Sequence, residues 1–269
     1  MHPAPRRWLM VAALFVVTYG ASTPLSAYGV FLPVLAETFP WSRGAISTAL
    51  SINLLLGGVA GLGVGALSDR YGPRVMLVTT VALAGASFAL ISKVEALWQL
   101  YLLVGVLGGI GMSAFYLLSA ATVMRWFDDH RGLALALVLV GFNLSYISGG
   151  PLAAWLIARL GWRAAYALLG GGCGLISVLA ALTVRLPRGP EVPLAAEPAP
   201  ADGARLAAVP GLTFGAALAD ARQSCMNGAW LLLGGRYLML TVHVVPFAHD
   251  RGMSLGEARS RSRPTASAP

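Results

Sequence analysis

The sequence predicts an all-α membrane protein, and three observations carry that reading. Hydrophobic residues make up 57% of the 269 and charged residues only 11%, where a soluble domain carries about a quarter charged. Seven apolar runs approach the roughly 20 residues that a helix needs to cross a bilayer. The breaks between those runs hold turn-forming residues and arginines. The expected division is a six-transmembrane-helix N-terminal bundle over residues 1–184 and a cytoplasmic linker over 185–225. A seventh transmembrane helix follows over 226–248, then a polar, basic, disordered tail over 249–269.

The first run, Trp8–Phe31, follows Arg6 and Arg7 and resembles a secretory signal. It exceeds the usual signal core and further runs succeed it, so an uncleaved first span is expected. Pro40-Trp41-Ser42 opens the second run, Gly44–Leu67, with Ser42 placed to cap its helix. Gly72-Pro73 separates it from Val75–Ile91, and Lys93–Glu95 precedes Leu97–Met124. Asp128-Asp129-His130 then leads into Gly132–Ile157, and Gly161-Trp162-Arg163 into Ala164–Leu182. The seventh run, Met226–Phe247, carries Arg236 and His243. Gly57, Gly61 and Gly65 recur every fourth residue on the second run, as do Gly105 and Gly109 on the fourth. Such spacing leaves one helix face without side chains, so a neighbouring backbone can approach closely.

Arginine placement sets the expected orientation. With the N-terminus inside, ten arginines (6, 7, 70, 74, 125, 131, 185, 188, 205 and 222) fall on cytoplasmic segments. Four basic residues (Arg43, Lys93, Arg159 and Arg163) fall in outer loops. That bias follows the positive-inside rule. The net charge of +8 then points to a lipid bilayer with an anionic face as the partner, and not to nucleic acid. Residues 185–222 are rich in Pro, Ala and charge, which reads as a flexible linker. The arginines of the tail would lie outside, against the same rule, so the tail is not expected to be a native segment. Cys173 and Cys225 suggest no disulfide framework. Nucleotide-binding, zinc-protease and serine-hydrolase motifs are absent, so neither an enzyme nor a cofactor or metal is expected.

Against this background "GALSDRYGPR", Gly65 to Arg74, sets several polar and charged residues in one turn between two apolar runs. "GALSDRYGPRVML" resembles the loop motif between the second and third helices of the major facilitator superfamily. Gly65, Leu67, Asp69, Arg70, Gly72 and Arg74 match, while Pro73 stands where many members have a basic residue. The resemblance implies the six-helix N-terminal half of a major facilitator bundle plus a seventh helix, truncated. It also implies that the turn is a cytoplasmic gate. Asp69, able to pair with Arg70, Arg74 or Arg125, would there meet a helix N-terminus of the second half.

Tyr116–Leu137, with its Arg125-Trp126-Phe127 and Arg131-Gly132-Leu133-Ala134 runs, is similar to the oxalate/formate antiporter and monocarboxylate-porter-like branch. Tyr28–Ser47 and "GWRAAY", Gly161 to Tyr166, point the same way. The superfamily's fourth-helix arginine is missing near Val104-Gly105, and Gly150-Pro151 remains of the fifth-helix glycine pattern. The branch implies alternating-access transport of a small organic anion, a monocarboxylate or dicarboxylate. Its candidate cavity comprises Tyr28, Asn53, Tyr116, Phe142, Asn143 and Tyr146. Expected partners are the substrate anion and a second transporter half or a homodimer, in a bacterial inner membrane with the N-terminus cytoplasmic. The alternative is a non-transporting remnant that pairs with another transporter half. Because the cations for a carboxylate would come from the second half, the chain alone is expected not to transport.

Overall fold

A computed structural model describes residues 4–127, 129–185 and 220–250. Most of the expected linker (186–219) and tail (251–269) lies outside them. The chain divides into two compact units, residues 1–188 and 189–269. Every regular element among the described residues is helical.

In the first unit five stretches are long and apolar enough to cross a membrane: Arg7–Thr38, Arg43–Tyr71, Pro73–Lys93, Leu97–Trp126 and Arg131–Thr183. The last has 53 residues. A straight helix of that length would run about 80 Å, far beyond a hydrocarbon core of roughly 30 Å. Gly161 breaks it, with φ 79 and ψ 163, so the stretch is two crossings and the unit has six.

The first crossing pairs α1 (Ala4–Ser26) with α2 (Tyr28–Thr38). The sequence runs on smoothly here, but the structure breaks it at Ala27 and continues to Thr38. The second crossing is α3 (Arg43–Tyr71). Ser42 caps it as expected, its hydroxyl accepting from the Ala45 amide at 3.1 Å. The third is α4 (Pro73–Leu90) with a 3-10 turn, Ile91–Lys93. The fourth is assembled from α5 (Leu97–Leu100), a π-helix (Tyr101–Gly108), α6 (Gly109–Met112) and α7 (Phe115–Trp126). It breaks at Ala114, whose φ is −133 and ψ −6. The fifth and sixth share α8 (Arg131–Tyr166), and the sixth goes on through a π-helix (Ala167–Gly172) and α9 (Cys173–Thr183).

Packing follows a two-fold pattern. The first crossing lies on the fifth and the second on the fourth, while the third and sixth lie on each other. Exchanging crossings 1–3 with 4–6 leaves these pairings unchanged, which is the signature of two related three-helix repeats. Glycine sets the close approaches. A Cβ at Gly109 would stand 2.7 Å from the Asn53 carbonyl oxygen, and one at Gly141 2.6 Å from that of Phe15. Of the glycine stripe on α3, Gly57 and Gly61 face the Gly109 and Ser113 carbonyls, whereas nothing stands near Gly65.

The interior holds Leu14, Phe31, Leu35, Ile46, Phe88 and Tyr166, all fully buried. Leu55 and Ile147, 71% and 72% exposed, lie uncovered, as lipid permits. Interior hydroxyls bond across or along helices. Thr18 donates to the Val138 carbonyl at 3.0 Å, and Ser145 bonds Ser22 at 3.0 Å. Such bonds satisfy the polar groups that an apolar interior would penalise.

In the second unit one helix, α10 (Ala221–Asp250), covers residues 226–248. Asp220 starts it, its carboxylate accepting from the Arg222 amide at 2.9 Å. Arg236 is exposed on it.

Candidate functional site

The charged turn is built on one glycine. Gly72 has φ 87 and ψ 146, a conformation in which a side chain is strained. Its amide donates to the Ser68 carbonyl at 2.9 Å, closing α3. Pro73 then begins α4, where a missing amide hydrogen costs nothing. Gly-Pro is thus the reversal itself.

The charges around it separate instead of pairing. Asp69 and Arg125 are exposed. The Arg70 guanidinium lies 5.5 Å from the centre of the Tyr71 ring. Arg74 donates to the Leu182 carbonyl at the end of α9. Among the described residues no ion pair joins Asp69 to Arg70, Arg74 or Arg125, which corrects the pairing expected from sequence. The reason is that Arg74 has a stronger claim elsewhere, on a helix end whose carbonyls lack amide partners. Asp69 sits in the last turn of α3, where the helix dipole is unfavourable to a carboxylate.

Beside the turn, the Arg125-Trp126-Phe127 run forms a collar that sequence reasoning did not resolve. The Trp126 indole donates to the Arg185 carbonyl at 2.8 Å, and Arg131 Nε to the Phe127 carbonyl at 2.6 Å. Phe127 is buried with its ring 5.3 Å from that of Trp8. The ends of the fourth and sixth crossings are thereby tied to the starts of the first and fifth. The specificity of the run was the signal; its targets are distant backbone groups that no local pattern reveals.

Of the six candidate cavity residues, three converge. Tyr116, in the first turn of α7, packs edge-on to Phe142 at 5.7 Å, and Phe142 lies 5.1 Å from Tyr146. Phe142 and Tyr146 are one turn apart on α8 and share a face. Tyr116 remains 43% exposed, so the group opens outward from the unit's own interior. Asn143 is also exposed, its amide donating to the Leu139 carbonyl at 2.9 Å.

Tyr28 and Asn53 lie inside the unit. The Tyr28 ring is buried and its hydroxyl donates to the Ile46 carbonyl at 2.7 Å. Asn53 is buried and donates to the Val104 carbonyl at 2.6 Å. Both fasten neighbouring crossings and lie apart from the aromatic trio. The three rings form one aromatic group beside the exposed Asn143 amide. Candidate metal-holding clusters are absent among the described residues.

The model of the Major Facilitator Superfamily matches residues 10–262. Human monocarboxylate transporter 11 is 29% identical over 253 residues, 91% of this chain and 50% of that protein. The 4-hydroxybenzoate transporter PcaK of Pseudomonas aeruginosa is 30% identical over 186 residues, 68% of this chain and 41% of that protein. The oxalate:formate antiporter of Oxalobacter formigenes is 27% identical over 184 residues, 67% of this chain and 43% of that protein. The chain spans about half the length of these relatives or less.

Proposed function

The chain belongs to the Major Facilitator Superfamily, and on that footing we propose that its first unit is the N-terminal half of a secondary transporter. The substrate we propose is a small organic anion, a monocarboxylate or dicarboxylate, carried by alternating access. The three relatives are transporters whose names specify carboxylates. A carboxylate bearing a carbon skeleton is what the aromatic trio suits, with the skeleton against Phe142 and the rings of Tyr116 and Tyr146. Among the described residues of the first unit no cation lies at membrane depth to meet the carboxylate, and the reading gives that task to the facing half.

The observation that carries the reading is Asp69. It is exposed, set against the dipole of its own helix and without an ion pair among the described residues. The stability of this unit does not call for it there. In the proposed cycle it meets a helix N-terminus of the other half and holds the cytoplasmic side closed while the outer side is open. The N-terminus lies in the cytoplasm, as the arginine bias indicates.

Uptake tests this. In a transporter containing both halves, Asp69→Asn should lower carboxylate uptake severalfold while the amount inserted stays constant. Undiminished uptake would reduce the turn to a topology signal. In a second reading the chain pairs with a separate half or with its own copy. It is distinguished by whether uptake follows the dimeric fraction.

A further inference from the structure

The third and sixth crossings are joined in a way that neither the charged turn nor the aromatic trio requires. Gly85 and Gly174 meet backbone to backbone. A Cβ added at Gly85 would stand 2.7 Å from the Gly174 Cα, and one at Gly174 2.6 Å from the Gly85 Cα. Each helix also begins with an arginine that reaches the far end of the other. Arg74, second residue of α4, donates to the Leu182 carbonyl. Arg163, two residues after the Gly161 break, donates to the Ser92 carbonyl at 2.8 Å.

The arrangement is repeated in the sequence. Leu67 and Leu156, Arg70 and Arg159, Gly72 and Gly161, Arg74 and Arg163, and Gly85 and Gly174 all stand 89 residues apart. Gly72 and Gly161 share the same backbone conformation, φ 87 and ψ 146 against φ 79 and ψ 163. Each arginine lies 11 residues before its crossing glycine. The carboxylate is not repeated, because Ala158 stands where Asp69 would recur.

Helix electrostatics explain why arginine occupies these positions. A cation in the first turn of a helix opposes that helix's own dipole. Antiparallel packing sets the start of each helix beside the end of the other, where unpartnered carbonyls carry partial negative charge. The guanidinium is therefore misplaced for its own helix and well placed for its neighbour's. Arg163 is further steadied over the Trp162 ring, 4.6 Å from its centre.

We propose that the third and sixth crossings form one rigid body, clasped at opposite membrane faces by the repeat-related arginines Arg74 and Arg163, with Gly85 and Gly174 as the contact between the clasps. Arg163, unassigned until now, is the second clasp. This inference rests on the fold and stands whether or not the transport reading does.

The test is backbone amide hydrogen exchange on the full chain in lipid nanodiscs, read on segments 88–94 and 179–185. Arg163→Ala should speed exchange about tenfold over 88–94, the scale of one lost charge-assisted hydrogen bond, and leave 179–185 unchanged. Arg74→Ala should do the reverse. Lysine at either position should restore most of the protection, since it still donates to a carbonyl. Arg159→Ala, at an exposed arginine on the same face as Arg163, should move neither segment. Equal loosening of both segments by each alanine variant, or no change in either, would overturn the clasp. If an alanine variant fails to insert, the lysine variant decides: protection within threefold of wild type supports the clasp, and full loss contradicts it.

Discussion

The side-chain amide of Asn53 donates to the carbonyl of Val104 at 2.6 Å and fastens the second crossing to the π-helical stretch of the fourth. A π-helix is rare. Asn53 packs closely against glycines 108 and 109 of the fourth crossing. Asn53→Ala should therefore destabilise the unit by about 1–3 kcal/mol, the penalty for a buried carbonyl left without a donor. Thermal unfolding in detergent measures this, and carboxylate binding should be unaffected.

Gly72 and Gly161 make a matched prediction. Either changed to Ala places a Cβ on a backbone with φ near +80, at a cost of about 1–2 kcal/mol. Gly58→Ala is the control, because its φ is ordinary and open space surrounds it. That variant should hold or raise stability by up to about 1 kcal/mol through helix propensity.

Much of the fold was legible because membrane helices are written in run length and punctuation. Ser42, Gly72-Pro73 and Gly161-Trp162-Arg163 mark ends that the structure confirms. The direction of a side chain was harder to read. Lipid and protein interior are equally apolar, so periodicity does not say which face is inside. Tyr28 and Asn53 look like cavity residues for that reason, yet each is bonded to a neighbouring backbone. Tyr116, Phe142 and Tyr146 come together only through the packing of α7 on α8. The arginine clasps were hidden for another reason, since a carbonyl acceptor has no residue identity to search for.

Asp69 should matter little to the stability of the unit that carries it. Asp69→Asn removes a charge opposed by the α3 dipole and should change stability by less than about 0.5 kcal/mol, or raise it slightly. Since no ion pair joins Asp69 to Arg125 among the described residues, Asp69→Asn and Arg125→Ala should add in thermal unfolding, with coupling below about 0.5 kcal/mol. A larger coupling would mean that the two side chains meet in solution.

Trp126→Phe should loosen the collar by removing the indole donor to the Arg185 carbonyl while keeping an aromatic ring. The expected loss is about 1 kcal/mol, accompanied by faster proteolysis after residue 185. Unchanged cleavage would show that the collar does not hold the exit of the sixth crossing.

Tyr116 and Phe142 are proposed to face an aqueous path that admits an organic anion. In a background with Cys173 and Cys225 replaced by Ser, a single cysteine at 116 or at 142 should react with a water-soluble maleimide in nanodiscs. Millimolar 4-hydroxybenzoate, lactate or oxalate should slow at least one of the two reactions severalfold, and chloride should not. Cysteines that ignore the water-soluble reagent at both positions, yet react with a lipid-partitioning one, would place the trio against lipid and contradict the account.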